Sequence, residues 1–198
     1  YSLFRWCRGY GLAHCSNSPG TAGSRRTVRL DRLYLERGAV SGLSGISKEL
    51  HKKNLKTALN LHPADGIRKH EVMYEEMARA NGIDPATGKR VKLDLLSKDF
   101  MADYFDILHH PYEEEGVDFW WLDWQQWRES KYVKGLSNTF WLNHTFFRHA
   151  EERSPDIRPF IYHRWGGLGS HRYQLAFSGD TYATWKTLAF LPWFTATA

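Results

Sequence analysis

Two cysteines in 198 residues, Cys7 and Cys15, leave no material for a disulfide framework, and alone they cannot build a structural zinc site. Nowhere do about 18 apolar residues run together, so no membrane-spanning helix is expected. Residues 1–43 contain no lysine and only two acids against seven Arg. Residues 44–198 hold equal numbers of bases and acids, so the formal charge of +5 sits entirely in the first segment. That segment also holds both cysteines, lacks an apolar period of 2 or 3.6, and has no signal-peptide h-region. A flexible basic tail is its plain reading. A nucleic-acid arm is the rival, because Arg-rich tails bind phosphates.

What is present argues for a folded core. The chain is 42% hydrophobic and 15% aromatic with nine Trp, which excludes a disordered or collagen-like protein. Residues 47–54 read as the end of an amphipathic helix, and 56–61 as a strand leading to His62-Pro63. Helix is expected over 70–80 with Gly82 as its stop, then a turn-rich insertion over 81–93. Ser97 is a good N-cap for a helix whose Phe100, Met101, Tyr104, Phe105 and Leu108 recur at helical spacing. Glu113, Glu114 and Glu115 read as a solvated face. Strands are expected at 117–123, 159–164 and 174–178, and helices at 138–152 and 182–191. Repeated strand–helix units point to an α/β protein with a parallel sheet covered by helices. Four strands in 155 residues is about half of a (β/α)₈ barrel of ~250 residues. From pattern alone a doubly wound sheet stays open.

Reacting groups in such barrels project from the C-terminal ends of strands. Asp123 follows VDFWWL and Asp180 follows AFSG, each beside aromatics: Trp120, Trp121 and Trp124 for one, Phe177 for the other. Paired carboxylates among aromatics suit glycoside hydrolysis, in which one attacks the anomeric carbon or activates water and the other protonates the leaving oxygen. The first must stay ionised and the second must hold its proton until it is needed. An Asp closing a strand is nonetheless more often a cap, and an aromatic strand more often core. Other motifs fail. Gly166-Gly167-Leu168-Gly169 lacks the phosphate-loop Lys and spacing, and His70-Glu71 is followed by Tyr74 where a zinc protease needs His. No G-x-S-x-G elbow exists. His109-His110 reads as a packing or surface pair, and the sequon Asn143-His144-Thr145 sits in an expected helix.

LNLHPADGI at 59–67, GVDFWWLDWQQ at 116–126 and RWGGLGSHRYQLAFSGDT at 164–181 closely resemble glycoside hydrolase family thirty-one. The resemblance covers about residues 44–198 in order and spacing. It implies a fragment, about half, of a (β/α)₈ barrel from a retaining α-glucosidase or α-xylosidase. It casts Asp123 as the nucleophile and Asp180 as the acid/base. Arg164 would bind sugar hydroxyls, while Trp121, Trp124 and Phe177 would shape the sugar site. For a retaining enzyme the two carboxyls stand about 5–5.5 Å apart. A carbohydrate substrate is implied, with no metal, organic cofactor, nucleic acid or membrane partner. A catalytically dead carbohydrate-binding relic is the rival. The chain departs from the family at Trp127 (Gly expected), His163 (Ser expected) and Gln174 (Pro expected).

The resemblance also gives residues 1–43 a third reading. The family shows DMDWH-like and WTGYTWN–LFPD-like motifs ahead of the KELH helix, and neither is present. Codons permitted for Gly9–His14, read one base later, spell DMDWH. Those permitted for Leu30–Gly42 spell WTGYTWN and LFPD. Residues 1–43 are therefore read as an out-of-frame translation, or else a disordered tail, with the frame resuming near Leu43 or Ser44. No compartment or oligomeric state is read from the sequence. A 198-residue half-barrel is expected to be inactive and prone to aggregate, because its sheet edges and apolar helix faces lack partners.

Overall fold

A computed structural model describes residues 43–123 and 129–197. The readings made for residues 1–42, Trp124 and Trp127 lie outside the described residues.

Four short strands pair in parallel: β1 (Ala58–Leu61), β2 (Phe119–Leu122), β3 (Ile161–Arg164) and β4 (Leu175–Phe177). Their order across the sheet is their order in the chain. A doubly wound sheet reverses direction at a switch point, and no reversal occurs here. Consecutive strand–helix units of a barrel give this order. Helix α1 (Leu43–His51) precedes β1. Helices α2 (Tyr74–Ala80), α3 (Lys98–Leu108) and α4 (His110–Glu114) lie between β1 and β2. Helix α5 (Asn138–Arg153) joins β2 to β3, and α6 (Trp185–Thr197) follows β4. Between β3 and β4 there is only a loop with a 3₁₀ turn, Ser170–Arg172. That loop runs tight against α5: a Cβ on Gly166 would stand 2.8 Å from the Phe140 backbone nitrogen.

Period-two alternation sorts the strand residues into two faces. Leu61, Leu122 and His163 are fully buried on the helix-covered face. Asn60, Trp121 and Tyr162 stand level with one another on the opposite face. The core between sheet and helices uses the spacing read from the sequence. Phe100, Met101, Tyr104, Phe105 and Leu108 of α3 are all buried, and the Ser97 hydroxyl accepts the Phe100 N–H at 3.1 Å. Helix α3 stops at Leu108 because Pro111, one turn on, has no N–H to give and its ring would meet the Ile107 carbonyl.

His109 sits at that joint, wholly buried and edge-on to Trp120 with centroids 4.2 Å apart. Among the described residues neither of its ring nitrogens has a hydrogen-bond partner. Burial holds its pKa well below the imidazole range, with repulsion from His149 and His110 adding to the effect. It is therefore a neutral packing residue.

Two helix boundaries and one surface assignment stand out against the sequence reading. Helix α2 starts at Tyr74, because the Glu71 carboxylate accepts the Arg68 N–H at 2.9 Å and closes a turn ahead of it. Helix α6 runs on to Thr197, past Pro192. Glu113 is not part of a solvated face. Its Oε1 accepts the Trp120 indole N–H at 2.8 Å, and its Oε2 lies 2.7 Å from Arg153 Nε, so it ties α4 to β2 and α5. On α6, Trp185 and Trp193 are 86% and 73% exposed. No helix among the described residues is long and apolar enough to cross a membrane.

Asp118 ties the entrance of β2 to that of β1. Its carboxylate accepts the Thr57 N–H at 2.7 Å, Lys56 Nζ at 2.8 Å and His51 Nε2 at 2.7 Å. Burial alone would raise its pKa, but those three donors and the Lys56 charge hold it below the ordinary 3.8. A depressed carboxylate contributes stability above its unfolded pKa and loses it as pH falls through the folded value. Asp118→Asn is expected to cost about 1 kcal/mol at pH 7. Urea melts between pH 7 and 2.5 should show the gap from the native chain closing on the acid side. A gap that stays constant with pH would contradict this role.

Candidate active site

Asp123 is the first residue beyond β2. Its backbone N–H donates to Leu61 O at 2.9 Å, which carries the β1–β2 ladder one step further and fixes where the side chain leaves the sheet. The carboxylate is mostly buried. Its Oδ1 accepts Arg164 Nε at 2.7 Å. Its Oδ2 lies 3.5 Å from both Asn60 Nδ2 and His62 Nε2. A charge in this position needs such donors, because an unpaired buried carboxylate is costly.

Arg164 ends β3, and the β2–β3 register sets Leu122 opposite His163, so Arg164 comes level with Asp123. The guanidinium also reaches β4. Its Cζ lies 4.9 Å from the centroid of the Phe177 ring, and Nη2 lies 3.7 Å from Asp180 Oδ2. Gly179 permits this approach: it sits at φ +87°, and a Cβ there would stand 2.6 Å from Arg164 Nη1. One planar cation thus touches both candidate carboxylates and the aromatic ring three residues before the second.

The floor beneath is aromatic. Trp121 packs on Tyr162 at 5.1 Å and edge-on to Phe177 at 5.8 Å, and Tyr162 packs on Phe177 at 5.0 Å. Burial raises the Tyr162 pKa, the Asp123 charge adds to this and Arg164 opposes it, so the phenol keeps its proton. The arrangement offers an apolar platform beside a carboxylate paired with a guanidinium.

The structure therefore brings Asp123, Asp180, Arg164, Trp121 and Phe177 into one cluster, while Trp124 lies outside the described residues. Trp120 does not join them. It points to the helix face, against His109 and Glu113, because it alternates with Trp121 along β2. Asp180 is 99% exposed, so the water-excluding surroundings that a proton donor uses are not built by the described residues. Among the described residues no group of three or more His, Cys, Asp or Glu is placed to hold a metal ion.

Sequence reasoning passed over four residues. Asn60 and His62 touch Asp123, and the rule that selected Asp123 covers both, since they stand at the C-terminal end of β1. Tyr162 is strand alternation two before Arg164. Asn143, of the sequon, is 1% exposed. Its Nδ2 donates to Arg164 O at 2.9 Å and lies 3.0 Å from His163 Nδ1. His163, the departure from the family's Ser, faces α5 and the Tyr173 carbonyl and never enters the site. Burial holds its pKa below the usual imidazole range.

No curated protein matches the chain. The family model described as the glycosyl hydrolases family 31 TIM-barrel domain matches residues 41–195, a span that takes in all four strands and the whole Asp123–Arg164–Asp180 cluster. A four-stranded parallel sheet in barrel order, under a match of this length, makes the chain a member of glycosyl hydrolase family 31 that carries part of its (β/α)₈ barrel.

Proposed function

We propose that residues 44–198 supply the reacting half of a retaining α-glycosidase acting on α-glucosides or α-xylosides. The observation that carries this reading is the single guanidinium shared by the two carboxylates, Asp123 at 2.7 Å and Asp180 at 3.7 Å. Asp123, held ionised, attacks the anomeric carbon while Asp180 gives its proton to the leaving oxygen. This forms a glycosyl ester on Asp123. Asp180, now a carboxylate, takes a proton from water, which attacks the same carbon and frees Asp123. Trp121 and Phe177 carry the apolar face of the sugar, Trp124, next after the nucleophile in the sequence, contributes to the sugar site, and Arg164 binds hydroxyls near the reacting carbon. Asn60 and His62 steady the second oxygen of Asp123.

Taken alone, the 198-residue chain is inactive on this reading. Its acid is almost wholly exposed, and so are large parts of Trp185 and Trp193 on α6. We place residues 1–43 outside the catalytic segment, as an out-of-frame translation.

Three outcomes are expected. The 198-residue chain should not hydrolyse aryl α-glucosides or α-xylosides, and turnover by a soluble monomer that disappears in Asp123→Asn would contradict this. Grafted in place of the matching segment of a complete family 31 α-glycosidase, residues 44–198 should restore activity. A mechanism-based fluoro-sugar should then add one sugar's mass at Asp123. In that graft Asp123→Asn should lose at least about 10³-fold in kcat/KM. Asp180→Ala should lose about 10²–10⁴-fold with poor leaving groups and much less with activated ones. Sugar binding without any adduct would favour the dead relic. Finally, genomic and transcript sequencing across codons 1–50 should show one base gained or lost relative to the printed frame. An unbroken frame in both would make residues 1–43 a genuine part of the polypeptide.

A further inference from the structure

A second concavity lies further along the loop that begins at His62. Arg68, Lys69, His70, Gly88 and Arg90 line an open hollow of about 380 Å³. Its two walls are held together by an antiparallel bridge. Ile67 N–H donates to Val91 O and Val91 N–H to Ile67 O, both at 2.9 Å. Ile67 and Val91 are buried, so the bridge is anchored in the core. The Tyr74 hydroxyl donates to Lys89 O at 2.8 Å and pins the second wall from beneath. The antiparallel register sets Arg68 and Arg90 directly opposite one another.

Like charges placed opposite in a ladder repel, and the fold offsets this only in part. Asp65 Oδ1 lies 3.6 Å from Arg68 Nη2, and Glu71 spends Oε1 on the Arg68 backbone N–H. Neither acid lines the hollow. Arg68 Nε is buried and has no hydrogen-bond partner among the described residues. The lining therefore carries three fixed positive charges and an imidazole, and among the described residues the ion pair given to those three cations is the 3.6 Å contact of Arg68 with Asp65. Two forked guanidiniums beside an ammonium match a tetrahedral oxyanion in charge and in donor geometry.

We propose that this hollow is an oxyanion site, taking the phosphate or sulfate group of an acidic carbohydrate. The sugar part of that assignment rests on the family reading. The oxyanion part rests on the hollow alone, and its test needs no turnover.

The test uses the 198-residue chain in a buffer free of phosphate and follows acetylation of each lysine by mass spectrometry. With about 10 mM inorganic phosphate, against an expected Kd of roughly 1 mM, acetylation of Lys69 should slow about tenfold. Lys53, an exposed lysine after α1, should not respond. Glucose should do nothing. Glucose 6-phosphate acting below the phosphate concentration assigns the site to a sugar ester, and equal potency assigns it to the free oxyanion. Arg68→Gln and Arg90→Gln should each abolish the protection, whereas a Lys52→Gln/Lys53→Gln pair, which removes two charges elsewhere, should preserve it. Equal response of Lys69 and Lys53 overturns the proposal. So does equal loss in the Lys52/Lys53 pair, or stronger protection by a DNA oligomer at equal phosphate, which would mark a general basic surface. Where Arg68→Gln fails to fold, the comparison of Lys69 with Lys53 in the native chain decides.

Discussion

The parallel pairing of β2 with β3 is the constraint on which the rest of the site depends. With Leu122 opposite His163, the residue that ends β3 comes level with the residue that leaves β2. Arg164 and Asp123 meet at 2.7 Å for that reason and no other. A slip of one residue would turn Arg164 to the helix face and take its guanidinium away from Asp123. Asp118 ties the entrance of β2 to that of β1, and Asn143 grips the carbonyl of Arg164 where β3 ends.

The two faces of the sheet divide the labour. On the helix face, Trp120, Leu122, Ile161 and His163 pack a core with Phe105, Phe146 and His109. On the other face, Trp121, Tyr162 and Phe177 build the platform beside the charges. A substitution beside a functional residue can therefore belong entirely to packing. His163 is such a case: it neighbours Arg164 in the chain, yet it bonds to Asn143 and to the backbone behind the strand.

The elements with a strong period were legible in the sequence. The α3 spacing named its five buried residues and its cap, and strand ends flanked by charge located Asp123 and Asp180. What stayed hidden were pairings between distant polar side chains. Glu113 looked solvated because it stands among acids, but its partners Trp120 and Arg153 come from β2 and α5. Asn143 lies 21 residues from the backbone it holds, and Asn60 lies 63 from the carboxylate it approaches. A period gives the face on which a residue sits and is silent about which partner waits there. Trp120 and Trp121 show the converse. Alternation alone assigns adjacent strand residues to opposite faces, so grouping both around Asp123 overlooked information already in the pattern.

Asn143 carries one more implication. Its amide is wedged between a strand end and a histidine, with almost no surface left to solvent. A glycan on that nitrogen would replace a hydrogen that the Arg164 carbonyl requires and would have no room to leave the core. Wherever the Asn143-His144-Thr145 triplet meets a glycosylating enzyme, sugar attachment and closure of this strand end are competing fates of the same side chain. A glycosylated molecule would then be one that was modified before it folded, and the attached sugar would be a lasting record of that failure.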